Sequence, residues 1–435
     1  MRVELNYGKG MLPVELPDGL DVQIIRKPSM PVLPDPKGST LAALRNPVGA
    51  RPLGELARGR ENCCILICDI TRPVPNGTIL PVMIRELLDA GMKPADIVVV
   101  NATGLHRPNE GEELAELVGD PWVMQTVRVE NHFARNDADH IDLGFTKRGT
   151  PVKVDRRLVE ADLRIATGLV EPHFMAGWSG GRKVIIPGVA HADTITRLHS
   201  AAFMEHPNAA NCVLEGNPLH EEQIEIMGIL GGAFAVNTVI DDHRRMSHVN
   251  FGEIVASHAE AVAFVRRYAA VPIQRRFSTV LTSAAGYPLD KTYYQTVKGM
   301  VAPVDILAPG GNLIVASACS EGMGSPEYIE AQRRLIAQGE GGFLDGLKAK
   351  TRAEIDEWQT EMQLKATRVG AVHLYADGLK GELRGLTGVT MIDDVRAAVA
   401  ASVAKTGDRN VAVIPEGPYV VPQYRPPHGV ASPAE

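Results

Sequence analysis

Residues 63–70 read CCILICDI, a run of six apolar side chains that stops at Asp69. No polar residue interrupts the run at alternate positions. Both faces of the strand it forms therefore need cover, which helices on either side of a parallel sheet supply. Downstream, TILPVMIRELLDAG at 78–91 has helical spacing, with Asn76 expected as its cap and Gly91 as its terminator. DIVVVNATG at 96–104 is then a second buried strand, and ADLRIATGLVEPH at 161–173 a further one that opens into a loop. Strand and helix alternate as in α/β proteins.

The alternation resumes after the helical stretch EIVASHAEAVAFVRRYAA at 253–270. FSTVLTSAAG, NLIVASACSEG, VGAVHLYADG and NVAVIPEG read as strands of a separate sheet, with helical segments such as PEYIEAQRRLIAQG between them. The chain is therefore expected to form two α/β domains with largely parallel, helix-flanked sheets, 1–272 and 273–415, followed by an irregular Pro-rich tail at 416–435. The opening MRVELNYGKGMLPVELPDGLDV alternates around Gly and Pro and reads as hairpin strands.

At 435 residues, with 45% apolar and 22% charged content, the chain can bury large cores. A net charge of −7 and the absence of basic runs argue against nucleic acid or an anionic membrane as partner and favour a small molecule. No basic stretch followed by an apolar run opens the chain, and no apolar run is of membrane-spanning length, so a cytoplasmic location is expected. Five cysteines without metal spacing, three of them in the opening run, read as buried reduced thiols.

Reactive side chains collect just behind the strands. CCILIC leads into Asp69 and Arg72, VVVNATG into His106, and LRIATGLVEP into His173 and the loop HFMAGWSGGRK that ends at Lys183. Ligands of open parallel sheets bind at the carboxyl ends of strands, so these loops are expected to share a rim. The glycine loop fits neither a phosphate-binding Walker loop, since Val184 follows Lys183, nor GxGxxG. It could hold a phosphate through backbone amides and Arg182, or be a tight turn packing Trp178. His106, His173 and His199 stand out by placement, whereas His132, His140, His206, His220, His243, His248, His258 and His373 read as surface or structural, and His191 stays open. Arg72 could clamp a carboxylate and Asp69 orient a histidine, or the two could form an ordinary surface ion pair. In PLDKTYYQTVKGM, Tyr294 and Lys298 fall on one helical face with Gln295 beside them. EGMGS at 321–325 could be a strand-end ligand loop.

DITRPVP, ATGLHRP, HFMAGWSGGRKVIIPGVAH, TRLHS, PLDKTYYQTVKGM and EGMGSPEY, in this order over most of the chain, resemble the nickel-dependent lactate racemase family. The resemblance implies racemisation or epimerisation of a 2-hydroxy acid at an active site in the interdomain cleft. It also implies a nickel-pincer nucleotide, a pyridinium mononucleotide whose thioamide and thiocarboxylate arms bind Ni(2+), joined covalently to Lys183 beside Gly180, Gly181 and Arg182. By the same resemblance His199 completes the nickel coordination, His106 and His173 are the acid/base pair, and Asp69 supports one of them. Arg72 and Lys298 bind the substrate, with Gln295, Tyr294 and Trp358 nearby. Cofactor-synthesis proteins are the implied loading partners.

These residue types suit the chemistry. Deprotonating C2 of a 2-hydroxy acid gives a poorly stabilised dianion, whereas hydride transfer gives a planar 2-keto acid that can be reduced from either face. One base is needed for each hand of substrate, and two histidines of near-neutral pKa meet that need. An NAD(P)-dependent 2-hydroxy acid dehydrogenase is the first alternative, disfavoured by the missing GxGxxG. A non-catalytic module that binds a nucleotide or hydroxy acid is the second.

Overall fold

A computed structural model describes residues 1–426. The run that stops at Asp69 is the strand Cys63–Cys68, inside a six-stranded sheet. Leu163–Leu169 and Ile97–Ala102 flank it, Phe234–Ile240 and Met246–Glu253 extend the sheet beyond the former, and Arg128–Asn131 closes it beyond the latter. All neighbours run parallel except Met246–Glu253, which is antiparallel to Phe234–Ile240. Cys63 through Ile67 are buried, as an uninterrupted apolar run requires. On one face Ile65 and Ile67 share a core with Ile79, Leu80, Met83, Ile84 and Leu87 of the helix Asn76–Asp89. Each such side chain contributes about 1.5–3 kcal/mol when fully buried.

That helix ends as expected near Gly91, whose φ is +101°, but it does not begin as expected. Asn76 is its first residue rather than its cap, and its side-chain amide donates to the Leu117 carbonyl at 2.9 Å. A buried amide needs a partner of its own, and Leu117 supplies one that the local sequence does not reveal.

From Cys63–Cys68 the chain moves through Ile97–Ala102 to Arg128–Asn131, then returns to the opposite side of the first strand as Leu163–Leu169. The carboxyl ends of Cys63–Cys68 and Leu163–Leu169 therefore flank a topological switch point. Asp69 and Arg72 follow one end, Glu171 and His173 the other.

The second sheet has six parallel strands in the order Thr390–Ile392, Ala371–Tyr375, Leu307–Ala316, Phe277–Ser283, Asn410–Ile414, Asp21–Ile24. The last of these comes from the N-terminal end of the chain, and with it the expected division at residue 272 needs correction. One compact unit comprises Ser29–Leu198 and Pro207–Arg267; the other comprises Met1–Pro28, His199–His206 and the chain from Tyr268 onward. The N-terminal hairpin, Arg2–Tyr7 against Gly10–Glu15, buries Val3, Leu5, Val14 and Leu16 with Leu281, Ile314, Val411 and Val413 of the second sheet. Ala201 packs with Leu335, Phe343, Leu347 and Leu364, which draws His199–His206 into the same unit. Both transfers bury apolar side chains that nothing adjacent in sequence would cover.

The tail is not irregular throughout: Val421–Tyr424 pairs in parallel with Ala270–Ile273, while residues 427–435 lie outside the described residues. All five cysteines are free, and burial pushes the Cys68 thiol up to about 12. No helix among the described residues is long and apolar enough to cross a membrane.

Candidate active site

At the switch point of the first sheet, Asp69 is buried and accepts three contacts from its surroundings. Its Oδ2 lies 2.5 Å from His106 Nδ1, its Oδ1 accepts from the Thr71 hydroxyl at 2.6 Å, and the Arg72 charge is close. Burial alone would raise the Asp69 pKa, but the His106 and Thr71 hydrogen bonds and the His106 and Arg72 charges bring it below the ordinary value. A carboxylate cannot donate, so Nδ1 of His106 carries the proton and Nε2 is the basic nitrogen of the neutral ring. Across the switch point, the Arg72 guanidinium donates to the Glu171 carboxylate.

His173 is arranged oppositely. It pairs with Gly177 in a short antiparallel turn, and its Nδ1 accepts from the backbone amides of Met175 and Ala176 at 3.3 and 3.2 Å. With Nδ1 as acceptor, the neutral ring carries its proton on Nε2. One ring of the rim thus presents an acceptor nitrogen and the other an N–H donor. The rest of that ring differs in exposure: the His106 side chain is 55% exposed, whereas His173 is buried.

Lys183 sits in the short helix Arg182–Ile185, partly buried. Burial first, then the neighbouring Arg72 and Arg182 charges, bring its amine down to about 7, which makes it nucleophilic near neutrality. The glycines before it serve packing. A Cβ on Gly180 would lie 2.7 Å from Val170 Cγ2, and one on Gly181 would lie 2.9 Å from the His258 side chain. Arg182 is 1% exposed and lies against His258. The loop is thus a tight turn with Trp178 fully buried, and the cofactor contacts implied for Gly180, Gly181 and Arg182 stay a proposal.

The second unit carries the remaining candidates. Tyr294, Gln295 and Lys298 lie on the helix Tyr293–Val301, whose Tyr293, Thr296, Val297 and Met300 are buried, leaving the three on its less buried side. Trp358 Nε1 donates to the Tyr294 hydroxyl at 3.3 Å, and its ring lies 4.5 Å from that of His199. Gln295 Oε1 is buried with no hydrogen-bond partner among the described residues, an acceptor suited to a ligand's donor. The loop at 321–325 acts on the protein itself: Gly322 and Met323 carbonyls accept from the Tyr293 and Tyr294 amides, and Glu321 pairs with Lys291 at 2.7 Å.

Sequence reasoning missed Glu171, His258 and Asp356. Asp356 has φ +64° and hydrogen-bonds both the Ser325 hydroxyl, at 2.5 Å, and Tyr294. A non-glycine residue in the left-handed region costs roughly 1–2 kcal/mol. Glu171 was findable, as a carboxylate two residues past a buried strand; the other two carry no local signal. His191, left open by sequence, lies 2.9 Å from Asp137 and accepts from the Asp193 amide, a structural role.

Among the described residues no three His, Cys, Asp or Glu side chains gather as a metal site.

Fold and rim are those of a two-domain α/β enzyme. Residues 7–211 match the family described as lactate racemase N-terminal domain, and 274–421 that described as lactate racemase C-terminal domain. The chain belongs to the lactate racemase family and is an isomerase of the racemase class. It is 32% identical over 425 residues to a lactate racemase of Thermoanaerobacterium thermosaccharolyticum, covering 96% of this chain and 98% of that one. It is 30% identical over 378 residues to a lactate racemase of Lactiplantibacillus plantarum, covering 86% and 88%. The apoprotein structure of the Thermoanaerobacterium enzyme superposes with a TM-score of 0.89 over 97% of this chain and all of the other, at 30% identity. A Thermotoga maritima protein of 16% identity, TM-score 0.67, covering 89% of this chain and 98% of its own, shares the fold alone.

Proposed function

We propose that this chain interconverts the two enantiomers of a lactate-like 2-hydroxy acid, with a nickel-pincer nucleotide tethered to Lys183 and its nickel held by His199. The placement of His106 and His173 behind strands of one sheet supports this reading most directly, because hydride transfer from either hand of substrate needs a base for its hydroxyl proton. The lowered pKa of the Lys183 amine, set by burial and by the Arg72 and Arg182 charges, fits the tether, and His199 would give the nickel one imidazole, the cofactor supplying the other donors. When bound, the cofactor supplies an acceptor for the C2 hydride.

The chain's own residues do the rest. His106 Nε2 takes the hydroxyl proton of one enantiomer, and the Asp69 carboxylate steadies the imidazolium that results. His173 serves the other enantiomer in its other tautomer, with Nε2 as the base. Arg72 releases Glu171 to bind the substrate carboxylate, Lys298 adds a second cation, and Gln295, Tyr294 and Trp358 orient the substrate. We take the enzyme to act in the cytoplasm on a small molecule, with cofactor-synthesis proteins as partners for loading.

The test uses protein co-expressed with cofactor-synthesis proteins. Mass spectrometry of the peptide bearing Lys183 should find a covalent increment, and one enantiomer of a panel of 2-hydroxy acids should convert to the other with no NAD added. Loaded protein that leaves every acid unchanged in configuration would overturn the reading. Net oxidation that depends on NAD(P) would favour the dehydrogenase instead.

A further inference from the structure

His258 lies on the helix Ile254–Ala269, some 75 residues past the loop it touches, and is 2% exposed. It meets the backbone and side chains of three of the four residues that precede Lys183. Its Nε2 is 2.8 Å from the Ser179 carbonyl, which can only accept, so Nε2 carries the ring proton. The Arg182 guanidinium lies against the ring, 3.2 Å from Nδ1 and 3.3 Å from Nε2, a position over the imidazole face. Burial, followed by the Arg182 charge, holds the ring neutral, which leaves Nε2 donating to Ser179 and puts no second charge against Arg182. Between these contacts the ring fills the space that a Cβ on Gly181 would need.

Other contacts hold the earlier part of the loop: Arg266 of the same helix lies over the Trp178 ring at 5.6 Å, and Asn217 donates to the Met175 carbonyl at 2.9 Å. Ser179 ties it back to the end of the Leu163–Leu169 strand through the Leu169 carbonyl, 2.7 Å from its hydroxyl, but that bond secures the start of the loop only. Arg182 has no carboxylate partner, and burial brings its own pKa down to about 9. A buried guanidinium in that position is held by the neutral imidazole, and the residue next to it is the reactive amine.

We propose that His258 is a positioning residue for Lys183: it clamps Ser179, Gly181 and Arg182 so that the amine is held at one place, partly out of water, where the cofactor attaches. The inference rests on the reading of Lys183 as the cofactor's attachment point. In His258→Ala the Ser179 carbonyl and the Arg182 guanidinium lose their partner and Gly181 gains room to move. The amine then reaches water, and the geometry for attachment is lost. Glutamine can both donate to Ser179 and accept from Arg182, so His258→Gln should restore much of what alanine removes.

The experiment has two arms on the full chain. In the first, wild type, H258A and H258Q are co-expressed with cofactor-synthesis proteins and the fraction of Lys183 bearing a mass increment is measured. Loss of an outer partner commonly weakens a site by about 10–100-fold, so H258A should fall by at least about tenfold while H258Q retains most of the increment. In the second, apoprotein is labelled with acetic anhydride across pH and the Lys183 peptide is quantified. Wild type should give a midpoint near 7, and H258A should move toward the ordinary lysine value of 10.5. If H258A does not fold, H258L, which fills the space without hydrogen bonds, takes its place with the same two expected results. H258A loaded and titrating like wild type would overturn the proposal. Wild type without any increment would instead overturn the role of Lys183, and the labelling arm would still decide the clamp.

Discussion

The two groups of candidate residues are built from different materials. In the unit of Ser29–Leu198 and Pro207–Arg267, charge does the holding: Asp69 on His106, Glu171 on Arg72, and a lysine whose amine is brought down to about 7. In the other unit, rings do it: Trp358 lies beside His199 and donates to Tyr294, which Asp356 anchors in turn. Charged groups at a sheet's switch point can exchange a protein partner for a substrate and move protons. Packed rings cannot, but they hold one arrangement through contact area, and area is insensitive to pH and salt. The contrast favours the proposed division, in which proton movement belongs to the first group and fixed geometry, with Lys298 as a further cation, to the second.

Substitutions can break that division. The largest effect belongs to the proton carriers: His106→Asn or His173→Asn should lower racemisation by about 10²–10⁴-fold with little change in melting temperature, read in a chirally resolved assay from each enantiomer. If both variants raced on as wild type, proton movement would not belong to this rim. In the ring group stability should suffer instead, with Trp358→Ala losing about 3–5 kcal/mol in urea unfolding and Trp358→Phe only about 1 kcal/mol, the value of the Tyr294 bond. Equal losses for the two would show that the ring's area is not what matters.

Two smaller effects sharpen the charged side. Lys183 has a folded pKa near 7, below its ordinary 10.5, so between those values the unfolded chain holds a proton that the native apoprotein does not. Stability of the apoprotein should therefore rise with pH over that window, and Lys183→Met should flatten the rise in denaturant melts at successive pH values. The smallest concerns Glu171, which is about one fifth exposed, pairs with Arg72 and, on the proposed function, competes with substrate for it. A pair so exposed is worth up to about 1 kcal/mol, so Glu171→Gln should lower KM by up to about fivefold with kcat unchanged. A raised KM would mean that Glu171 positions Arg72 and does not compete with substrate.

Much of this architecture was readable in advance, for a local reason. Cys63–Cys68, Ile97–Ala102, Phe277–Ser283 and Asn410–Ile414 each announce a doubly covered strand in their own side chains. The rim followed, because a polar residue directly behind such a strand has nowhere to be but at the sheet's carboxyl edge. Asp69 and His106 are found together for that reason. Glycine stayed ambiguous: the spacing around Gly180 and Gly181 looks the same whether or not a side chain packs beside them, and only the position of a distant helix places His258 there.

Composition and periodicity in the chain thus suffice for strand identity, the parallel α/β class, and the order in which reactive groups reach the rim, since all three depend on neighbours within a few residues. Folding in three dimensions was needed for the rest: Asp21–Ile24 at the edge of a sheet formed some 250 residues later, His199–His206 joined to the other unit, opposite tautomers on two histidines, and His258 beneath the lysine loop. These depend on which distant apolar face is left uncovered and which buried donor lacks an acceptor, and such conditions exist only once the chain has packed.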